Sequence, residues 1–263
     1  MARSDYLSRC LATMPPHVAI LRAVECRLMG EPELPGPVLD IGTGDGCFAA
    51  AAYMRPVDIG VDVRPAASAE AGARGPSVYR SVAAADVTAL PFRSGMFHSV
   101  VSNCALEHVP DDATALREIA RVLRPGGQLL ATLPSERFGE LLGVTTAARA
   151  LGLRRCADAY AAFFNRISHH VHVVGPEVWR HRMAAAGLEV VDHRYYFSAR
   201  AHRAFDLCHY LAVPNLVARL LSGRWVPHPA MARPYERWLG RYYSEPLPQP
   251  IGAYQYLRSV KAG

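Results

Sequence analysis

Val38-Leu-Asp-Ile-Gly-Thr-Gly-Asp-Gly46 decides how the rest of the chain is read. Val38 to Ile41 reads as a short buried strand that delivers Asp40 at its carboxyl end. Gly42, Gly44 and Gly46 then let the backbone bend sharply and approach a ligand with no Cβ in the way. A helix of small residues, Cys47 to Met54, starts at once. A strand, a glycine turn and a helix in that order put the turn outside the carboxyl end of the strand, where open α/β sheets bind ligands.

The same alternation continues outward, as in a parallel α/β sheet. Val57 to Val63 and Ser77 to Ala83 read as strands two and three, and Phe97 to Ser102 as strand four. Asp111 to Leu123 is amphipathic, with Asp111 or Asp112 as N-cap. Pro125-Gly126-Gly127 is a turn signal, and Gln128 to Leu133 follows as strand five. Pro176 opens another helix and Gly187 closes it. Leu188 to Phe197 and Ala253 to Val260 read as strands six and seven.

Five segments are expected: N-terminal helices over residues 1–36, broken at Pro15-Pro16; a core over 37–133; an insertion or lid over 134–175; the end of the sheet over 176–198 and 251–263; and a helical acceptor-binding cap over 199–250. Within that cap, helix is expected around 202–222 and 230–243.

Composition sets bounds. The chain has 263 residues, 51% hydrophobic and 20% charged, which is enough apolar surface for a full core and excludes a disordered chain. It contains no apolar run long enough to span a bilayer, and its first residues lack a signal-peptide core, so a cytoplasmic location is expected. Six cysteines without a C-x-x-C pair suggest reduced, buried thiols. Residues 1–133 carry 12 basic and 14 acidic side chains, a net of −2, whereas residues 134–263 carry 17 and 9, a net of +8. All basic residues but Lys261 are arginine, a bias that base composition of the genome can produce, so it is discounted as a nucleic-acid signal.

With an acid before its first glycine, the D-x-G-x-G-x-G loop resembles the cofactor loop of class I S-adenosylmethionine-dependent methyltransferases. It differs from the dinucleotide fingerprint G-x-G-x-x-G. A carboxylate beside the loop suits a cationic methionine tail and would repel a diphosphate. Gly60-Val-Asp62-Val, Ala84-Ala-Asp86-Val87 before Leu90-Pro91-Phe92, Ser102-Asn103-Cys104 and Arg121-Val-Leu-Arg-Pro-Gly-Gly127 extend the likeness, in order, over residues 38–133. The resemblance implies a Rossmann-like, doubly wound α/β fold: a mostly parallel seven-stranded sheet with an antiparallel last strand and helical insertions. It implies S-adenosyl-L-methionine as donor and S-adenosyl-L-homocysteine as product. It places Asp40, Gly42, Thr43, Gly44 and Gly46 around the methionine tail, Asp62 at the ribose hydroxyls, Asp86 and Val87 at the adenine and Asn103 along the methionine part, with Val63 and Cys104 as further cofactor-binding positions. Asp62 also reads as a turn acid before Pro65, and Asp86 as a loop acid.

Methyl transfer from a sulfonium needs an aligned acceptor and, for a hydroxyl acceptor, a base. His108, just past strand four, titrates near neutrality and is the first candidate; its other reading is a turn residue before Pro110. His170 and His172 would share a face if their segment is extended, and are further candidates for base or acceptor contact, or simple loop residues. They lack the third and fourth ligands of a zinc site, so no metal is expected. Tyr195, Tyr210, Trp225, Tyr235, Trp238, Tyr242 and Tyr243 suit either the core of a cap or the wall of an acceptor pocket. Contact of Arg219, Arg224, Arg233, Arg237 and Arg241 with an anionic membrane surface ranks below both.

The leading expectation is therefore methylation of a small molecule (a metabolite, a natural product, or a lipid- or sugar-linked intermediate), at oxygen, with carbon or nitrogen as alternatives. Nucleic acid is not expected as acceptor: residues 102–105, Ser-Asn-Cys-Ala, lack the N/D-P-P-Y segment of amino-directed nucleic-acid methylators. An NAD-dependent oxidoreductase and a non-catalytic binding protein are the competing classes. The insertions suit a lid, a homodimer interface, or both.

Overall fold

Alternation of side chains along the strands builds two cores from one sheet. Val100 and Leu129 enter the cluster on one face, and their neighbours Val101 and Leu130 enter the cluster on the other. Both faces of the sheet are therefore covered, as a mostly parallel sheet requires.

The computed structural model describes residues 5–30 and 33–263. The segment expected over 1–36 includes residues 1–4 and 31–32, which lie outside the described residues. Helices α1 (Tyr6–Leu11) and α2 (Pro16–Met29) open the described chain, and β1 (Val38–Ile41), α3 (Cys47–Ala52), β2 (Val57–Asp62), α4 (Pro65–Gly72) and β3 (Tyr79–Ala84) follow. Then come β4 (Phe97–Asn103), α5 (Asp112–Val122) and β5 (Leu123–Pro134). Helices α6 (Gly143–Ala150) and α7 (Arg154–Ile167) fill the first insertion, before α8 (Pro176–Ala185) and β6 (Leu188–Tyr196). Helices α9 (Ala199–Leu211), α10 (Val213–Ser222) and α11 (Arg233–Tyr243) fill the second, before β7 (Tyr254–Lys261).

The strand order is β3-β2-β1-β4-β5-β7-β6, with β7 antiparallel to both neighbours and the other pairings parallel. The order reverses between β1 and β4, so the carboxyl ends of these two strands open a crevice at the switch point. One core packs Leu116, Ile119, Trp179 and Met183 of α5 and α8 beneath the sheet. The other packs Ile20, Val24, Phe164 and Phe205 of α2, α7 and α9 above it.

Two local readings need correction. Pro125-Gly126-Gly127 does not separate helix from strand. Pairing jumps from Phe97↔Leu123 to Ser99↔Gln128, so the extra residues bulge inside β5, with Gly126 at φ 71°. The helix expected around 202–222 is two helices, because the chain breaks at Ala212 and Pro214 opens α10. Asp111 rather than Asp112 caps α5, its carboxylate accepting from Thr114 N at 3.0 Å.

Candidate active site

The glycine bend is pinned by its neighbours before any ligand is considered. Gly42 N and Thr43 N both donate to Val61 O, at 2.8 and 3.1 Å, and Gly46 N donates to Thr43 O at 3.0 Å. Gly42 and Gly44 hold φ of 79° and 53°, where other residues are strained. A Cβ on Gly42 would collide with Ala105 Cβ. A Cβ on Gly44 would meet nothing within 4 Å. The first glycine thus serves packing, and the second faces open space.

Two buried carboxylates flank the bend. Asp40 accepts from Tyr79 Oη at 2.5 Å, and burial pushes its carboxyl up to about 6, with Asp62 adding to the rise. Asp62 accepts from Gly44 N at 3.0 Å and from Arg64 N at 2.9 Å. Asp62 therefore braces the loop that it borders. Beside it Val63 is 65% exposed, an apolar face at the rim of the crevice. Asp86 is exposed and caps a short turn, accepting from Thr88 N at 2.8 Å, with Val87 buried next to it.

At the end of β4, Asn103 and Cys104 meet an acid that sequence reasoning missed. Glu25, fully buried on α2, accepts from Asn103 Nδ2 (2.8 Å), Arg22 Nη1 (2.6 Å) and Tyr196 Oη (2.8 Å), and lies 3.2 Å from Cys104 Sγ. Asn103 Nδ2 also reaches Thr132 Oγ1 at 2.7 Å. Cys104 sits at φ 46°, a strained turn for a residue with a side chain. Burial and the nearby Glu25 carboxylate hold its thiol well above the usual range, which disfavours the thiolate. A lone Glu inside the apolar run of α2 is the signal that could have drawn attention to Glu25. Nothing local marks Asn103 and Tyr196 as partners, 78 and 171 residues away.

The histidines divide. The Glu107 carbonyl accepts from Val171 N (2.9 Å) and His172 N (3.0 Å), so the segment after α7 is clamped to the turn that carries His108. This brings His170 over His108, ring centroids 5.7 Å apart and nearly parallel. His108 Nδ1 lies 2.9 Å from His169 O. A carbonyl only accepts, so Nδ1 carries the proton and the neutral ring keeps its lone pair on Nε2. Partial burial lowers the His108 pKa, and the charge of Arg22 lowers it further, against the pull of the His169 carbonyl. Burial, with His108 alongside, takes His170 down to about 4. Both rings are neutral at neutral pH.

His172 does not join them. Its Nε2 meets Val109 O at 3.0 Å and its Nδ1 meets Arg182 Nη1 at 3.2 Å, with the Arg182–Asp112 ion pair alongside. Both ring nitrogens are engaged, so the shared face expected for His170 and His172 is corrected: the segment turns, and His172 is a structural link between α5 and α8. Beneath His108, Glu107 is fully buried with Oε2 unbonded, and burial raises its carboxyl to about 8.

Residues 39–131 match the family described as "Methyltransferase domain". An "Uncharacterized methyltransferase" of Mycobacterium sp. (strain JLS) is 38% identical over 134 residues, 47% of this chain and 48% of the relative. Malonyl-[acyl-carrier protein] O-methyltransferase of Halorhodospira halophila is 37% identical over 114 residues, 41% of this chain and 39% of the relative. These matches span about half or less of the relatives' length. In fold, the crystal structure of the [4+2]-cyclase SpnF superposes with a TM-score of 0.55 at 18% identity, covering 93% of this chain and 82% of that one. Residues 39–131 thus match a methyltransferase domain, on a fold shared with solved structures of low identity.

Proposed function

We propose that this protein transfers a methyl group from S-adenosyl-L-methionine to a small-molecule acceptor, with oxygen as the methylated atom. The observation that carries the reading is the glycine bend between two buried carboxylates, Asp40 and Asp62. The donor set fits the cofactor. The open space beside Gly44 leaves room for close approach, the acids suit an ammonium and a pair of ribose hydroxyls, and exposed Val63 offers an apolar surface to a flat heterocycle. Asp86 stands at the same rim, where an exocyclic amine would find an acceptor. Bound there, the cofactor supplies an already activated methyl electrophile.

What remains for the chain is positioning and proton removal. Asp40, Thr43 and Gly44 would hold the methionine tail, and Asn103, Cys104 and Glu25, bonded to one another, would support that end of the site. His108 has the tautomer and lowered pKa of a base whose free Nε2 accepts a proton from an acceptor hydroxyl. His170 stacks on that ring and holds its plane. Oxygen is favoured because a neutral histidine matches a hydroxyl proton, and because one relative is named as an O-methyltransferase. The small-molecule class also draws on that relative and on demethylmenaquinone methyltransferase of Mycolicibacterium vanbaalenii, 49% identical over 47 residues, 18% of this chain and 21% of the relative.

Thermal unfolding with two candidate cofactors tests the reading. S-adenosylhomocysteine is expected to raise Tm and NAD+ to leave it unmoved; the reverse pattern contradicts it. The His108→Gln variant should keep the S-adenosylhomocysteine shift. On any acceptor that turns over, it should lower kcat by about 10² to 10⁴. Unchanged kcat removes His108 from the mechanism.

A further inference from the structure

Helix α10 is turned inside out. Val213, Leu216, Val217, Leu220 and Leu221 recur at i, i+3, i+4, i+7 and i+8, the spacing of a buried helix face. Yet they are 58%, 48%, 48%, 77% and 84% exposed. The buried side chain on this helix is Asn215, whose Nδ2 donates to Trp225 O at 2.9 Å. The stripe continues back into α9 through Leu207 and Leu211, both about half exposed. Single exposed leucines are ordinary, but a contiguous face is not.

The segment that carries this face is cationic. Residues 213–243 hold five arginines and one acid, Glu236, a net of +4 out of +6 for the whole chain. Arg233, Arg237 and Arg241 fall at i, i+4 and i+8 along α11, exposed, and with Pro234 and half-buried Trp238 they line a surface groove. Arg219 flanks the leucines, 3.5 Å from Glu70. An aliphatic stripe on α10, with arginines and a half-buried tryptophan on the following helix, offers the chemistry that suits a layer of anionic headgroups over acyl chains.

We infer that α10 and α11 dock this protein onto an anionic lipid surface, with Leu220 and Leu221 entering the acyl boundary and the α11 arginines meeting headgroup phosphates. A second copy of the chain is disfavoured as occupant, because a self-paired face brings its own arginines against each other. Among the described residues no helix is long and apolar enough to cross a membrane, so the contact is with the surface. The inference does not rest on the methyl-transfer reading.

Cosedimentation of the purified chain with vesicles tests it, using phosphatidylcholine alone and phosphatidylcholine mixed with phosphatidylglycerol. Binding is expected to the mixed vesicles and about tenfold weaker to phosphatidylcholine alone or in high salt. The Leu220→Glu/Leu221→Glu variant should lose about tenfold or more of that binding, and Arg233→Glu/Arg237→Glu should lose the preference for the mixed vesicles. Both sets of positions are exposed, so an unchanged Tm checks that the variants fold. No binding to mixed vesicles overturns the inference, as does equal binding to both. Light scattering that finds a dimer, broken by Leu220→Glu/Leu221→Glu, also overturns it in favour of a second copy. None of these readouts uses the cofactor, so failure here leaves the proposed activity standing, and the converse holds.

Discussion

Burial, which outweighs the opposing pull of a backbone hydrogen bond and of Arg22, sets the chemistry of Glu107. Its carboxyl rises from an ordinary 4.5 to about 8, so the folded protein holds this proton more tightly than the unfolded chain does. The resulting stabilisation is complete below about pH 4.5 and is lost as pH rises through about 8. Glu107→Gln, which keeps the shape and cannot ionise, should therefore gain on the wild type with rising pH. Near about pH 5 the two should melt together, and above about pH 8 the variant should melt several degrees higher. A difference that stays constant across that range contradicts the assignment. His108 was legible as a candidate from its place after strand four. Its tautomer was not, because the His169 carbonyl that fixes it arrives from 61 residues away.

At the scale of elements, the glycine bend gives a paired prediction. Gly42→Ala and Gly44→Ala both place a side chain at positive φ, costing about 1 to 2 kcal/mol each. Gly42→Ala adds the collision with Ala105, so it should lower Tm more. Gly44→Ala adds no collision within the protein, but its methyl enters the space assigned to the ligand. Titration calorimetry with S-adenosylhomocysteine should show the larger affinity loss, relative to its effect on Tm, for Gly44→Ala. Equal affinity for Gly44→Ala and wild type would place the ligand elsewhere. The strands and this bend were readable because their signals are local: apolar runs, alternation and punctuating glycines. The bulge at Pro125 to Gly127 was misread because turn residues announce a bend and leave open whether strand pairing resumes around it. His172 was grouped with His170 for a similar reason. Period-two spacing puts two side chains on one face only where the backbone is extended, and here it turns.

Over the whole molecule, Glu25 joins parts far apart in the chain. It gathers Arg22 from its own helix, Asn103 at the end of β4 and Tyr196 at the end of β6. No pattern around residue 25 specifies Asn103 or Tyr196, which the assembled sheet brings to it. Glu25→Ala strands a partly buried guanidinium and two buried donors, a loss of about 3 kcal/mol. That should appear as a drop in Tm of about 10 °C for a chain of this size. Glu25→Gln, which still accepts hydrogen bonds, should lose less. A shift below about 2 °C for the alanine variant would mean that the N-terminal helices do not brace the site.

The central claim is that the bend at residues 40–46 grips a cationic cofactor between carboxylates. Titration calorimetry with S-adenosylhomocysteine at several pH values tests it most directly. Asp40 ionises near about 6, and a cation prefers its ionised form, so affinity should be steady above that pH. Below it, affinity should fall by up to about tenfold per pH unit. One saturable site with that pH profile, flattened in Asp40→Asn and weakened in Asp62→Ala, is the expected result. No saturable heat at neutral pH would contradict the account.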